Sequence, residues 1–305
     1  MDIFFPIARM PISAFAILGL GGAVGLLSGL FGVGGGFLMT PLLMMMGVPP
    51  AVAVASDTNQ IVAASTSGAI AHSKNRNVDF KLGFIILAGG LIGGNLGTLL
   101  VKALRSLGNF DFVLKVAYVV MLLVVGGFMF IESLSSLKKQ KPEMVMPGKA
   151  FAVDRFMKRL PVRMYFEVSG IECSVIALFA LGLTIGVLSA LMGVGGGFIM
   201  LPVMIYLIGM PTHKAVGTSI FVVIFTAINV TVAQSVLNHT VDLMLAIVLL
   251  IGSSIGAQFG AMLGRKLKGE QLRVAFSVIV LLVMVKMLVG LLAAPSAMIV
   301  VEGGH

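Results

Sequence analysis

The chain has one cysteine, Cys173, among 305 residues, which excludes an internal disulfide and any metal site built on cysteines. Charge is scarce as well. Asp, Glu, Lys and Arg make up 11% of the sequence, against roughly 25% in an ordinary soluble domain. Hydrophobic residues make up 58% and the mean hydropathy is +1.10, the composition of an integral membrane protein. Short segments alternating polar and apolar residues are missing, which argues against an outer-membrane barrel. The expected fold class is all-α, a polytopic helical membrane protein. Met1 to Gly25 carries Asp2 and a single basic residue, Arg9, unlike the basic start of a cleavable signal, and is expected to lead into the first span. No stretch resembles a nucleophile triad, a metal cage or an ATP-binding domain, so neither enzymatic activity nor a cofactor is expected. The net charge of +9 resides in loops. It reports membrane topology rather than a nucleic-acid partner.

What is present is glycine in a run. Gly32-Val33-Gly34-Gly35-Gly36-Phe37 recurs as Gly193-Val194-Gly195-Gly196-Gly197-Phe198. Each glycine weakens a helix by roughly 1 kcal/mol relative to alanine, so an apolar helix is expected to break at each motif. Broken backbone at membrane depth is tolerated where protein buries it or where it lines a watery cavity. The two breaks are therefore expected to face each other across a polar site.

The repeat extends well beyond the motif. Hydrophobic segments at about 12–31, 37–48, 51–72, 82–101 and 112–131 match those at about 174–192, 198–209, 215–237, 243–264 and 274–293. Superposition pairs Ser28 with Ser189, Pro41 with Pro202, Pro49 with Pro211, Ala53 with Ala215, Asp79 with Asp242, Gly93 with Gly256 and Gly97 with Gly260. This predicts a first transmembrane repeat over 12–131, a linker over 132–170 and a second repeat over 171–293, the duplicated plan of many transporters. Segments 37–48 and 198–209 hold about 12 residues, about 18 Å of helix, which is less than the roughly 30 Å hydrocarbon core. They are read as re-entrant or as short tilted spans.

The linker is rich in Lys and Arg and is expected to be cytoplasmic. Phe151, Phe156, Met157 and Leu160 alternate there with basic residues, the pattern of a helix on an anionic membrane surface or of a solvated linker. If each motif turns the chain back, each half makes an odd number of crossings. The halves then insert in opposite senses, with the linker, the Lys74 loop and the Arg265 loop inside and both termini outside. A continuous helix through the motif would put the Arg265 loop outside. The loop charges favour inverted repeats, although Lys102, Arg105 and Lys115 weaken the contrast.

Candidate site residues follow from the breaks. The backbone from Gly34, Gly35, Gly36 and Phe37, and from Gly195, Gly196, Gly197 and Phe198, would present N–H donors at the positive end of a helix dipole to a small anion. The alternative is that these glycines only permit close helix packing. Neither motif is a nucleotide fingerprint, since Phe replaces the final glycine and no Gly-Lys-Ser/Thr follows. Ser56, Asp57, Thr58, Asn59 and Gln60 form a polar cluster in an apolar segment, with Thr218 and Ser219 as the counterpart in the second half. Asp57 is a candidate to carry a coupling proton or to organise the neighbouring hydroxyls; a helix-capping role is the alternative. Asn95 and Gln258 read as site walls or as interhelical hydrogen-bonding residues. Lys286 reads as an attractor of anions or as a snorkelling lysine. Cys173 is expected at a helix start, and His72, His213 and His239 in loops or at the interface.

Ser28-Gly-Leu-Phe-Gly-Val-Gly-Gly-Gly-Phe-Leu-Met-Thr-Pro41 and Ser189-Ala-Leu-Met-Gly-Val-Gly-Gly-Gly-Phe-Ile-Met-Leu-Pro202 resemble the paired signature of the sulfite exporter TauE/SafE family. The resemblance covers about 12–293. It implies a bacterial inner-membrane permease for small sulfur-containing anions such as sulfite or organosulfonates, commonly outward, with the glycine motifs and the third-segment polar stretches at the site. The expected function is secondary transport by alternating access, with the bilayer and a small anion as partners, protons as a possible coupling ion and a homo-oligomer left open. A passive anion channel and a non-transporting membrane scaffold are the alternatives.

Overall fold

The computed structural model describes residues 2–31, 36–74, 78–108, 110–138, 161–264 and 269–292. Among them, each half of the chain contributes a β-hairpin followed by five helices. The first half has β1 (Asp2–Phe5), β2 (Met10–Ser13), α1 (Ala14–Phe31), α2 (Gly36–Met45), α3 (Pro50–Lys74), α4 (Phe80–Ser106) and α5 (Phe110–Lys138). The second has β3 (Arg163–Phe166), β4 (Ile171–Ser174), α6 (Val175–Met192), α7 (Gly197–Pro202), α8 (Thr212–Ala233), α9 (Leu243–Gly264) and α10 (Gly269–Leu292). Single π-helical turns, Val203–Leu207 and Gln234–Asn238, extend α7 and α8. The helical class expected from the sequence is what forms.

The hairpins are the part that composition hid. Each has four-residue antiparallel strands, with Phe5 opposite Met10 and Phe166 opposite Ile171. Arg9 takes φ 53° where the second hairpin has Gly170 at φ 70°, and both turns close on the phenylalanine carbonyl, Arg9 N to Phe5 O at 2.8 Å and Gly170 N to Phe166 O at 2.7 Å. Cys173 is thus a buried strand residue rather than a helix start. The stretch expected to be linker is shortened at both ends: α5 runs to Lys138 and β3 begins at Arg163. Phe151, Phe156, Met157 and Leu160 lie outside the described residues.

Helices from the two halves interleave. α1 packs on α9, α4 on α6, α3 on α8 and α5 on α10. In the first two pairs glycine brings backbone against backbone. A Cβ on Gly93 would stand 2.1 Å from the Leu183 carbonyl oxygen, and one on Gly186 would stand 2.3 Å from that of Gly90. In the matching contacts a Cβ on Gly256 would stand 2.0 Å from Gly22 O and one on Gly25 2.2 Å from Ser253 O. Gly89, Gly93 and Gly97 meet Phe179, Leu183 and Val187 in that order, so α4 and α6 run parallel. Gly21 and Gly25 meet Leu249 and Ser253, so α1 and α9 do too. Lipid gives helices no hydrophobic reason to associate, and small residues that permit close van der Waals contact supply one instead.

Among the described residues, five helices are long and apolar enough to cross a membrane: Phe80–Ser106, Phe110–Gly127, Val175–Met192, Lys214–Asn238 and Leu243–Gly260. The bundle is apolar outside, with Phe15, Phe84, Val120 and Leu282 exposed, and polar groups such as Ser56, Asp57, Thr98 and Gln234 are buried inside it. This is the distribution a lipid solvent selects.

Substituting alanine for Gly93 or Gly256 should destabilise the detergent-solubilised protein by about 2 kcal/mol or more, because the new methyl meets backbone that cannot rotate away. Gly19→Ala, whose Cβ would meet nothing within 4 Å, should be neutral or slightly stabilising, as alanine favours helix. Thermal unfolding followed by loss of the monodisperse peak checks this, and equal melting of all three variants would refute it.

Candidate functional site

The second break shows how the chain reverses. Gly193, Gly195 and Gly196 have φ of 69°, 64° and 77°, a left-handed backbone that costs other L-residues roughly 1–2 kcal/mol each. A Cβ on Gly196 would lie 2.7 Å from Ile185 Cγ2 and 3.8 Å from Ser189 Cβ. Gly196, at the start of α7, therefore lies beside the last turns of α6. In the first break Gly32, Val33, Gly34 and Gly35 lie outside the described residues, and α2 begins at Gly36. The two short helices meet at their first turns, where Phe37 stacks on Phe198 with ring centroids 3.9 Å apart and planes 10° apart. Both rings are buried. An apolar aromatic pair, not an open polar cavity, fills the space between the helix starts.

Polar chemistry lies beside this stack. Asp57 on α3 is fully buried, and its Oδ2 accepts a 2.7 Å hydrogen bond from Thr40 Oγ1 on α2. Asp57 Oδ1 has no hydrogen-bond partner. A Cβ on Gly36 would lie 3.4 Å from Asp57 Oδ2, so this carboxylate sits against the first residue of α2. At the other break, hydroxyl donors meet the carbonyl end of α6. Tyr118 on α5 donates to Met192 O. Thr58 Oγ1 donates to Val54 O at 2.8 Å, with Gly193 O at 3.4 Å. Ile61 packs against Val223 and Ala227, tying α3 to α8 between the breaks.

Other candidates are committed elsewhere. Ser56 Oγ accepts from Asp242 N at 3.2 Å, and Thr218 Oγ1 accepts from Asp79 N at 2.9 Å. Asp79 Oδ1 accepts from Leu82 N at 3.2 Å, capping α4, while its Oδ2 accepts from Ser169 Oγ at 2.6 Å and Ser169 N at 3.2 Å. Asp242 Oδ1 accepts from Leu245 N at 3.2 Å, capping α9, while its Oδ2 accepts from Ile7 N at 2.9 Å and Ala8 N at 3.3 Å. Each half's aspartate thus clamps the other half's serine or threonine and the other half's hairpin. Ser219 Oγ donates within its helix to Val216 O at 2.9 Å. Asn59 Nδ2 does likewise to Ala55 O at 3.4 Å. Gln60 is buried with Oε1 unpartnered.

Asn95 lies on the exposed side of α4, where Asn229 Nδ2 reaches its Oδ1 at 3.4 Å, an interhelical contact rather than a wall of the Asp57 cluster. Gln258 and Lys286 are exposed on the outer faces of α9 and α10, and the fold does not bring them to Asp57. His239 is an exposed loop residue; the side chains of His72 and His213 lie outside the described residues. A cleft of about 460 Å³ lined by Phe84, Ile85, Ala88, Val175, Ile176 and Phe179 is apolar and offers an anion no donor.

Residues 17–287 match the family model described as Sulfite exporter TauE/SafE. The chain belongs to that family. Among TauE/SafE relatives and similar transporters, "Probable membrane transporter protein YunE" of Bacillus subtilis (strain 168) is 27% identical over 241 residues, 75% of this chain and 80% of the relative. A "Probable membrane transporter protein" of Xylella fastidiosa (strain 9a5c) is 28% identical over 216 residues, 69% of this chain and 70% of the relative. "Sulfite exporter TauE/SafE family protein 5" of Arabidopsis thaliana is 33% identical over 73 residues, 23% of this chain and 16% of the relative. No solved structure matches. The protein is a multi-pass membrane protein of a transporter family.

Within this TauE/SafE fold, sequence reading passed over Thr40 and Tyr118, and matched Asp79 with Asp242 without assigning them a role. An acid immediately before an apolar helix in both halves was a usable signal for a cap. Nothing in the sequence linked Thr40 to Asp57, since the bond joins two helices. A further polar group closes the end of α8: Gln234 Nε2 donates to Ala190 O at 3.1 Å, Asn238 Nδ2 to Gln234 Oε1 at 2.7 Å and Arg105 to Asn238 O at 3.1 Å. Arg105, which blurred the loop charges, is thereby tied to a helix end.

Asp79→Ala and Asp242→Ala should each cost about 3 kcal/mol or more, because three bonds to a buried carboxylate are lost together. Ser169→Ala, which removes one of them, should cost roughly 1–2 kcal/mol. Thermal unfolding in detergent reads the order, and an Asp79 variant as stable as the Ser169 variant would contradict it.

Proposed function

We propose that the chain is a secondary transporter, acting as an exporter of small sulfur-containing anions such as sulfite or short organosulfonates across a bacterial inner membrane. The observation that carries the reading is the meeting of two broken helices, one from each half, at the buried Phe37–Phe198 stack beside the Asp57 cluster. Parting of the two rings would expose the first turns of α2 and α7, whose backbone N–H groups hold partial positive charge. An anion bound by helix ends, with no buried lysine or arginine among the described residues, can still be released. Phe37, Gly36, Gly197 and Phe198 are the proposed contact residues, with Gly34, Gly35, Gly195 and Gly196 shaping the breaks.

Alternating access requires two halves that can rock against each other, and inverted repeats are the proposed frame. The directions of the helices support it. In this reading the second break folds α7 back along α6, and short loops then reverse the chain into α8 and α9, so that α9 opposes α6. Since α1 runs parallel to α9, α1 opposes α6 as well. In this frame the basic linker is cytoplasmic and the termini are periplasmic, in keeping with the loop charges. The protein is proposed to move substrate without ATP, driven by ion or substrate gradients.

Uptake of radiolabelled sulfite and methanesulfonate into proteoliposomes tests this reading. Saturable flux that is accelerated by unlabelled anion on the far side is the expected result. Flux that never saturates would point to a channel, and no flux of any small anion from folded, inserted protein would end the transporter reading. Gly196→Ala is a poor probe, because alanine at φ 77° is strained whatever its effect on binding.

A further inference from the structure

We propose that Asp57 is a proton-binding site sharing the start of α2 with the transported anion, so that one proton and one anion cross together. The inference rests on the transporter reading above and adds to it the coupling ion and its stoichiometry.

Asp57 is 0% exposed. One carboxylate oxygen has Thr40 Oγ1 at 2.7 Å and the other has no hydrogen-bond partner. No lysine, arginine or histidine pairs with it among the described residues. An ionised carboxylate in that position carries a large uncompensated desolvation cost, which binding a cation removes. The group also sits where an anion would go. Its Oδ2 is 3.4 Å from the Cβ position of Gly36, the first residue of the ten-residue helix α2. A substrate anion and an ionised Asp57 would compete for the same helix dipole and repel each other across a short, poorly screened distance. Protonation removes the repulsion and turns the unpartnered oxygen into a donor toward the anion. The loaded carrier then holds both, and both leave together on the far side; net movement is outward when the outward anion gradient exceeds the inward proton gradient.

A proton fits better than a metal ion. The neighbouring hydroxyls are already spent as donors, Tyr118 to Met192 O and Thr58 to Val54 O. A hard cation requires about six oxygens around it, and one free carboxylate oxygen cannot supply that shell. No group of three or more His, Cys, Asp or Glu side chains suited to a metal occurs among the described residues.

The stoichiometry follows from the repeat. The counterpart of Asp57 is Ser219, whose hydroxyl is bonded within its own helix. The counterpart of Thr40 is Leu201. One half alone therefore carries the site. The titratable group facing Asp57 from α5 is Tyr118. From α9 the nearest is Asp242, reached through Ser56 and already accepting three backbone N–H bonds. α2, α6 and α8 present no charged side chain alongside it among the described residues.

The test uses the full chain in proteoliposomes with the membrane potential clamped at zero and a gradient of about one pH unit. Methanesulfonate is the preferred probe because it stays a monoanion throughout, and sulfite is run beside it. One coupled proton should drive about tenfold accumulation of a monoanion toward the alkaline side. A trapped pH dye should report acidification of the lumen when anion enters. In Asp57→Asn, verified as monodisperse and inserted, the accumulation ratio should fall to about one. Saturable wild-type flux that ignores the pH gradient and leaves the dye unchanged would overturn the proposal while keeping the transporter. Persistent gradient-driven accumulation in Asp57→Asn would overturn it as well. If Asp57→Asn fails to fold, Asp57→Glu, which keeps the carboxyl, and Asp57→Ser, which matches the second half's Ser219, replace it: coupling kept in the first and lost in the second supports the proposal, and coupling kept in both overturns it. Absence of any saturable flux would remove the transporter reading itself.

Discussion

The close backbone contact between helices of opposite halves is the constraint on which the rest depends. α1 lies against α9, and α4 against α6, at a distance that only glycine permits along Gly21, Gly25, Gly252 and Gly256 and along Gly89, Gly93, Gly182 and Gly186. In lipid this contact supplies association energy that the hydrophobic effect does not. It also fixes direction, because the helices of each pair run parallel. The breaks can then meet at the centre, where Phe37 and Phe198 stack.

The helix ends are secured by a second reciprocal device. Asp79 and Asp242 each cap a helix of their own half and hold a hairpin of the other, and each passes its backbone N–H to a hydroxyl across the interface. This explains why Ser56 and Thr218, polar residues within apolar helices, are buried at little cost: their oxygens satisfy backbone donors that would otherwise be orphaned. Ser56 and Thr218, two of the seven polar residues read as a binding surface, are thereby engaged with the scaffold. What remains for chemistry is the smaller set around Asp57, Thr40, Thr58 and Tyr118.

The scaffold obeys the repeat while the polar centre does not. Gly25 with Ser253 corresponds to Gly186 with Gly90, and the Asp79 clamp corresponds to the Asp242 clamp. Yet Asp57 and Thr40 are answered by Ser219 and Leu201. The frame is thus duplicated, whereas the buried Asp57–Thr40 pair belongs to one half. The frame spans the residues that match the TauE/SafE family.

Much of this was readable from the residues alone. Composition gave the membrane and the helical class, the Gly-Val-Gly-Gly-Gly-Phe pair gave the duplication and the breaks, and the short apolar segments gave helices too short to span. These are local properties, since a glycine run breaks a helix and a long apolar run seeks lipid wherever they occur. The hairpins escaped because their strands are short and one carries prolines, and because a membrane composition suggests helix everywhere. The fate of Lys286, Gln258 and Asn95 was likewise not legible, for a residue inside an apolar helix can face lipid or interior and the sequence around it is apolar on every side. Which polar oxygen meets which donor, such as Thr40 with Asp57 or Ser56 with Asp242, was decided only when helices distant in sequence came within bonding distance. Hydrogen bonds act over about 3 Å, so the sequence determined which groups needed partners and the tertiary structure alone determined who the partners are.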